Sequence, residues 1–334
     1  MLQNSRGLKI KFLVIRFSSI GDIVLTSPIV RCLKKQVEGA EVHFATKKKF
    51  ASIASSNPYI DKVHSLSDKL TSLLENLEKE QFDYIIDLHQ NFRSNRIKSR
   101  LKIPAFSFEK LNLHKFLLVN FKINKLPDLH IVDRYMKTLS VFDVKNDGQG
   151  LDFFIPDNKG YSTRLLPEEF RNGFIAFVIA GTYYTKRLPI EKVTEICEKV
   201  EAPVVLLGGK REINEGEKIA SGSPGKVLNL CGKTSLAESA DLLIKSNIVL
   251  TNDTGLMHIA AAFKKKILSF WGNTVPEFGM VPYLPHPVSK IMEIKNLKCR
   301  PCSKLGYEKC PKKHFRCMRD INTTDVAGWV NKNY

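Results

Sequence analysis

The chain has 334 residues, of which 43% are hydrophobic and 26% are charged. These values are typical of folded proteins and exclude a fibrous or disordered chain, and the length suits two domains of roughly 150 residues each. Lys and Arg outnumber Asp and Glu by 52 to 34, which gives a formal net charge of +18. Such a surplus attracts polyanions, so nucleic acid, anionic lipid and phosphorylated sugars all qualify as partners.

The apolar runs are too short to cross a membrane. Residues 12–15 and 174–180 fall far below the roughly 20 residues that a bilayer requires. Arg16 and Asp22 interrupt the N-terminal run before a signal-peptide core could form. Seven cysteines, dispersed except for a cluster at 299–317, do not resemble a secreted disulfide scaffold. We therefore expect a cytoplasmic protein with reduced thiols.

Short β-branched runs alternate with amphipathic stretches twice along the chain, a pattern that predicts two parallel α/β sheets. In the first half the predicted strands are 11–15, 41–45, 62–65 and 83–88, and the predicted helices are 22–36, 67–80 and 130–141. In the second half the strands are 174–179, 203–207, 227–230, 247–250 and 266–270, and the helices are 189–200, 212–220, 235–246 and 255–263. Ligands are expected in a cleft at the carboxyl ends of the strands, where doubly wound sheets bind them.

Residues 157–173 carry prolines, glycines and charges without a sustained period, which predicts a linker. The predicted organisation is an N-terminal domain at 1–156, this linker, a C-terminal domain at 174–320 and a final helix at 321–334 that could pack back on the first domain. Both domains are expected to be Rossmann-like and doubly wound.

A polar motif follows the first predicted strand, at 16–23. Gly21 permits a tight turn, and Asp22 would present a carboxylate from the first helical turn. A carboxylate there could take a proton from a hydroxyl nucleophile. The alternative is that Asp22 only caps the helix or complements its dipole.

Two motifs of the second half suit an anionic ligand. Lys186 and Arg187 precede a proline that can open a helix, so they could neutralise a diphosphate, although a solvated basic turn looks the same. Asp253 and Thr254 would cap the next helix while Gly255 leaves its first N–H groups accessible to an anion. His258 lies about one turn further on and could face the same ligand or be structural. Trp271 could border a base or sugar, or belong to the core.

Four cysteines near the C-terminus lie at positions 299, 302, 310 and 317. Thiolates at this density could make a structural zinc site, with Cys299, Cys302, Cys310 and Cys317 as the ligands. The spacing of two, seven and six intervening residues is not that of two CxxC knuckles, so packing or free thiols are the alternative.

The ordered set of motifs resembles glycosyltransferase family nine, the lipopolysaccharide heptosyltransferases, over nearly the whole chain. The resemblance is carried by 16–22, 185–189, 253–258 with 260–262, and 270–276. Leu188 stands where the family often has Trp, and Asn273 where Pro is usual. The C-terminal cysteine segment is most similar to that of the second heptosyltransferase of core assembly.

The resemblance implies a GT-B fold, two Rossmann-like domains facing a cleft, and an inverting, metal-independent transfer of heptose from ADP-heptose to the inner core of lipopolysaccharide. It gives Asp22 the role of catalytic base and Lys186 that of donor-phosphate lysine. The residues it implies for the nucleotide sugar are Thr182, Lys186, Glu212, Asp253, Thr254, Gly255 and His258. Those it implies for the acceptor are Ser19, Gly21, Arg93 and Arg96. No cofactor is expected beyond the donor, ADP-heptose or a related nucleotide sugar.

The basic surface fits an anionic, lipid-linked saccharide acceptor and peripheral contact with the inner face of the cytoplasmic membrane. Another GT-B enzyme using a different nucleotide sugar is the first alternative. The second is a nucleic-acid-binding protein, which a charge of +18 would also suit. It is disfavoured because the basic clusters lack interleaved aromatics, so no nucleic acid is expected as a partner.

Overall fold

The computed structural model describes residues 9–334, so the first eight residues of the predicted N-terminal domain lie outside the described residues. The chain forms two compact units. The first comprises the chain as far as Lys110 together with Leu129–Phe154, and the second comprises Leu111–Asp128 and Ile155–Tyr334. Each unit is built on one parallel sheet.

The strands alternate with helices along the chain, as the sequence pattern predicts. The strands are β1 (Ile10–Ile15), β2 (Ala40–Lys47), β3 (Lys62–Leu66), β4 (Tyr84–Asp87), β5 (Ala105–Ser107), β6 (Ile175–Val178), β7 (Val204–Leu207), β8 (Val227–Asn229), β9 (Ile248–Asn252), β10 (Lys266–Trp271) and β11 (Lys290–Glu293). The helices are α1 (Ile20–Val24), α2 (Ser27–Gln36), α3 (Ala51–Ser55), α4 (Leu70–Glu78), α5 (Phe92–Leu101), α6 (Asn112–Phe121), α7 (Ile131–Met136), α8 (Glu168–Arg171), α9 (Ile190–Lys199), α10 (Ile213–Ser221), α11 (Leu236–Lys245), α12 (Gly255–Ala262), α13 (Arg316–Arg319) and α14 (Thr323–Asn333).

Both sheets have the strand order of a dinucleotide-binding fold. The first runs β3-β2-β1-β4-β5 and the second β11-β10-β9-β6-β7-β8. Counted from the first strand of its own unit, the second sheet has the order 3-2-1-4-5-6 of the doubly wound fold. The central strands are almost wholly buried, since helices cover both faces of a parallel sheet. The predicted fold class is therefore confirmed at the level of two Rossmann-like α/β units.

The predicted helix at 22–36 is two helices, α1 and α2. The Thr26 Oγ1 hydroxyl donates to the Ile23 carbonyl at 2.7 Å, and the Ser27 Oγ hydroxyl donates to the Val24 carbonyl at 2.7 Å. Pro28 follows in the first turn of α2 and has no N–H to continue the α1 ladder. These side-chain bonds accompany the end of α1 at Val24, two residues after Asp22.

The second unit includes two segments whose placement differs from the expected boundaries. Residues 111–128 lie inside the predicted N-terminal domain but belong to the second unit. There Leu118 packs with Val275 and Phe278. The final helix, expected to be able to pack back on the first domain, also belongs to the second unit, where Thr323 bonds Lys199 and Glu195 of α9 at 2.8 and 2.9 Å.

Candidate active site

The motifs singled out in the sequence follow strands beside the reversal of strand order in each sheet. In the first unit the reversal lies between β1 and β4, and Arg16 to Asp22 follow β1 directly. In the second unit it lies between β6 and β9, and the loops that carry Thr182 and Asp253 follow those strands. Loops at this position diverge to opposite sides of a sheet and leave a crevice between them.

Asp22 is the third residue of α1, and both of its carboxylate oxygens accept bonds. Oδ2 accepts from the Ser19 backbone N–H at 2.9 Å and from the Ser19 hydroxyl at 2.8 Å. Oδ1 lies 2.5 Å from the guanidinium of Arg16. The carboxylate thus caps its own helix and is held in one orientation by a cation.

Arg16 is itself fixed by three other groups. Its guanidinium donates to the Ser18 carbonyl at 2.8 Å, to the Tyr135 hydroxyl at 3.0 Å and to the Leu88 carbonyl. Burial raises the pKa of Tyr135 to about 12, so this phenol stays neutral beside the cation. Arg16 was part of the sequence motif but had no assigned role, because its partners lie up to 119 residues away.

The charge state of Asp22 follows from these contacts. Burial would raise the pKa of the carboxyl, but the Arg16 charge and the Ser19 hydrogen bonds outweigh it, so the pKa is lowered. Asp22 is therefore ionised throughout the neutral range and can act only as a proton acceptor.

In the second unit the structure brings Lys186 and Asp253 together. The Lys186 ammonium lies 2.5 Å from Asp253 Oδ2, and the Thr274 hydroxyl donates to the same oxygen at 3.2 Å. The buried amide of Asn252 fixes the two loops, since its Oδ1 accepts from the Leu188 N–H at 3.1 Å and its Nδ2 donates to the Ile179 carbonyl at 3.0 Å. The lysine is thus held beside the start of α12.

The N-terminus of α12 has features of an anion site. Thr254 occupies the N-cap in an extended conformation, and its side chain makes no capping hydrogen bond to the helix. Gly255, the first helical residue, adds no side chain over the amides of the first turn. N–H groups at such a terminus attract anions. His258 is only 3% exposed, so it lies within the helix packing rather than on the open surface.

The remaining predicted donor residues lie in different settings. Thr182 is exposed in the loop after β6. Glu212 is buried, and its carboxylate accepts from the Gly209 N–H at 2.8 Å and pairs with Arg187 at 3.5 Å. Arg187, considered beside Lys186 for a diphosphate, is held by Glu212 and Glu215. Trp271 is 1% exposed, and its indole N–H donates to the Ser269 hydroxyl. Of the two alternatives considered for Trp271, the structure therefore has the core position.

Arg300 organises the loop after β10 and was not identified from the sequence as a functional residue. Its guanidinium donates to the carbonyls of Gly272, Thr274 and Ile294 at 2.6, 3.0 and 2.7 Å, and pairs with Glu293 at 2.9 Å. The same loop carries the Thr274 hydroxyl that bonds Asp253. Arg300 is therefore a positioning residue for the Lys186–Asp253 pair.

The predicted acceptor residues divide between a turn and a basic cavity. Ser19 and Gly21 flank the start of α1, with Ser19 exposed and Gly21 buried. Arg93 and Arg96 are exposed on α5 and line a cavity of about 1070 Å³ in the first unit. Six cations and one carboxylate line this cavity: Lys47, Lys48, Lys49, Lys69, Arg93, Arg96 and Asp68. An anionic saccharide fits its charge.

Among residues 9–334, the three-residue groups close enough to hold a metal do not include the four cysteines. Cys302 Sγ donates to the Cys299 carbonyl at 3.0 Å, and Cys299 Sγ lies 3.8 Å from His314 Nε2. Burial raises the pKa of Cys317 to about 12. The Cys317 thiol is therefore protonated, and it lies in the hydrophobic core of the second unit, against which Cys310 packs.

The group that does meet the spacing is His43, His64 and Glu80, in the first unit. His43 Nδ1 lies 2.9 Å from His64 Nε2, and His43 Nε2 lies 2.9 Å from Glu41 Oε1. Glu80 is already paired with Lys62, and Lys11 is 3.9 Å from it. A divalent cation would have to displace those ammonium groups or would be repelled by them. We therefore interpret the cluster as a buried hydrogen-bond network.

Comparisons of the sequence and of the fold with known proteins find relatives that match both units. The model of glycosyltransferase family 9 (heptosyltransferase) matches residues 70–312. A lipooligosaccharide heptosyltransferase 2 of Haemophilus influenzae is 26% identical over 325 residues, covering 88% of this chain and 92% of that protein. A lipopolysaccharide heptosyltransferase 1 of Campylobacter coli is 24% identical over 290 residues, covering 79% and 84%. The solved E. coli ADP-heptose LPS heptosyltransferase II superposes with a TM-score of 0.75 at 20% identity, covering 97% and 98%.

The buried His64 predicts a loss of stability in acid. Burial first, and then the neighbouring His43, lower the pKa of His64 to about 4, whereas Glu80 opposes this and Lys62 reinforces it. An unfolded histidine titrates near pH 6.5, so the contribution is complete above about pH 6.5 and is lost as the pH falls towards 4. The slope reaches about 1.4 kcal/mol per pH unit.

Urea unfolding between pH 7.5 and 4.5 measures this slope. His64→Gln keeps a polar partner for His43 without titrating, and should flatten the dependence by up to one proton. His114→Gln, on α6 of the second unit, is the matched control and should leave it unchanged. An equal slope in wild type and His64→Gln would show that His64 is not the group responsible.

Proposed function

Because the chain belongs to glycosyltransferase family 9 and is thus a heptosyltransferase-type enzyme of lipopolysaccharide synthesis, we propose that it transfers a heptose from ADP-heptose to the inner core of lipopolysaccharide with Asp22 as base. The observation that carries the proposal is the Asp22 carboxylate, which is ionised and oriented by Arg16 and Ser19 at the end of β1. The E. coli relative is described as an ADP-heptose enzyme.

The proposed reaction is a single displacement. The acceptor hydroxyl oxygen attacks the anomeric carbon from the face opposite the diphosphate, the bond from that carbon to the diphosphate oxygen breaks, and ADP departs with the electron pair. Asp22 accepts the hydroxyl proton as the new glycosidic bond forms. The anomeric configuration is therefore inverted.

Lys186 and the first amides of α12 stabilise the charge on the departing ADP. The Lys186 ammonium is paired with Asp253 at 2.5 Å, so a bound diphosphate would replace or share that partner. A positioned ammonium and a helix terminus supply the positive charge that other transferases take from a divalent cation. We accordingly propose a metal-independent reaction, for which unchanged turnover in EDTA is expected.

The basic cavity of the first unit is the proposed acceptor site. Its cations come from three places in the chain: the end of β2, the turn before α4 and the start of α5. A phosphorylated, acidic saccharide would be held there by charge, without deep burial of any cation. Such an acceptor is lipid-linked, which makes the inner face of the cytoplasmic membrane the proposed site of action.

Replacing the base tests the mechanism most directly. Asp22→Asn should lower kcat by about 10² to 10⁴-fold and leave ADP-heptose affinity within a few-fold of wild type, measured by turnover and calorimetry. Ser19→Ala, which removes one of the hydrogen bonds to Asp22, should cost far less. Because the pKa of Asp22 is lowered, wild-type kcat/KM should show no acid limb from this group between pH 8 and 5. Near-normal turnover of Asp22→Asn would remove Asp22 as the base.

Removing the proposed phosphate lysine should affect binding as well as turnover. Lys186→Ala should weaken ADP and ADP-heptose by about 10 to 100-fold, since a charge-assisted bond is worth about 1.5–3 kcal/mol and Asp253 is left unpaired beside the ligand. Lys192→Ala, which removes a lysine of α9 that pairs with Glu195 at 3.6 Å, is the control. A calorimetric panel that includes other nucleotide sugars tests the donor, and tighter binding of a different sugar nucleotide would refute ADP-heptose.

The acceptor site has a matched pair of arginines on one helix. Arg96 lines the basic cavity, whereas Arg100 of α5 pairs with Glu78 at 2.6 Å. Arg96→Ala should raise the acceptor KM several-fold with donor affinity unchanged, and Arg100→Ala should leave both constants near wild type. Equal effects of the two substitutions would indicate a general loss of positive charge rather than a site in the cavity.

A further inference from the structure

Helix α6 exposes an apolar stripe. Leu113 is 67% exposed, Phe116 54% and Phe121 61%, and these positions follow the i, i+3, i+8 spacing of one helix face. The Phe116 and Phe121 rings lie edge to face with centroids 6.0 Å apart. Ile123, just beyond the helix, is also exposed. An exposed apolar patch of this kind on one short helix indicates a surface that binds a partner or a membrane.

The opposite face of α6 is fixed to the second unit. Leu118 is buried with Val275 and Phe278. Lys122, one turn on, donates to the Pro301 carbonyl at 2.7 Å and to the Cys299 carbonyl at 3.4 Å. The apolar stripe therefore points outward because the other side of the helix is anchored.

Positive charge surrounds this stripe. Residues 111–128 contain three lysines and one Asp, and residues 295–320 contain nine Lys or Arg, one Glu and one Asp. The two segments adjoin, since Lys304 donates to the Asn112 side chain at 3.3 Å in addition to the Lys122 bonds. The surface thus combines apolar side chains with cations, as interfacial helices do.

We propose that α6 docks on an anionic lipid surface, with Leu113, Phe116 and Phe121 entering the interface and Lys125 and Lys304 facing the headgroups. A second copy of the chain is a less favourable partner for this surface, because a two-fold contact through α6 would place two cationic surfaces against each other. Lipid headgroups supply the missing negative charge. The inference deepens the proposed function, and rests on it only in that a lipid-linked acceptor would lie at the same membrane.

Flotation with vesicles tests the docking without any acceptor or donor. The wild-type chain should float with phosphatidylglycerol–phosphatidylcholine vesicles at low salt and much less with pure phosphatidylcholine. Phe116→Ser combined with Phe121→Ser should lower the partition coefficient at least tenfold. Leu113→Ser should weaken it too, whereas Leu165→Ser, at a leucine of the same unit that is 68% exposed, should not. Thermal unfolding confirms that each variant is folded.

A reporter variant gives a second, independent measure. In Phe116→Trp, emission should shift to the blue on addition of anionic vesicles, above the constant background of Trp271 and Trp329. Three results would each overturn the proposal. They are equal flotation of wild type and the double Phe variant, no emission shift for Phe116→Trp, and concentration-dependent dimers of the wild type that the double variant does not form. Turnover of the double variant on a water-soluble, delipidated acceptor should equal that of wild type, so loss of docking is distinguished from failure of the proposed reaction.

Discussion

Parallel strand pairing is the constraint on which the placement of the candidate residues depends in each unit. Every strand of a parallel sheet ends at the same edge, and the edge opens where consecutive connections leave on opposite sides. The Asp22 carboxylate follows β1 at that point of the first sheet, and Lys186 and Asp253 follow β6 and β9 at that point of the second. Within each sheet, loops that are distant in sequence are thus brought to the same edge, and in the second unit the hydrogen bonds of Asn252 fix them there.

Asp22 and Lys186, the two charged groups of the proposed mechanism, are each paired with an opposite charge. Arg16 fixes Asp22, and Asp253 fixes Lys186, at 2.5 Å in both cases. A group in a poorly hydrated crevice must be paired to stay ionised. In the proposed mechanism Asp22 keeps Arg16 while it accepts a proton, whereas a diphosphate replaces Asp253 beside Lys186. The first pair would therefore orient a group, and the second would be exchanged.

Five of the six strands and most helices of the second unit could be predicted closely, because short apolar β-branched runs and capping residues are local signals; β11 was not predicted. The assignment of residues 111–128 to the second unit could not be predicted. Their basic residues were interpreted as surface charge, and the residues that contact this segment, Val275 and Phe278, lie more than 140 residues away. The role of Arg300 could not be predicted for a similar reason, because it donates to backbone carbonyls and every residue has one, so the sequence does not mark them. The lysine and carboxylate at 186 and 253 could each be predicted from its motif, but not their pairing.

The contacts of Asp22 show that its capping role does not exclude the chemical role proposed for it. The capping interaction with Ser19 uses Oδ2, and the ion pair with Arg16 uses Oδ1, while the side chain keeps about a fifth of its surface open to solvent. A carboxylate that caps the first turn of a helix cannot rotate freely, so its remaining lone pairs have a fixed direction. The interaction that would make Asp22 merely structural is therefore the one that would aim it at a hydroxyl proton.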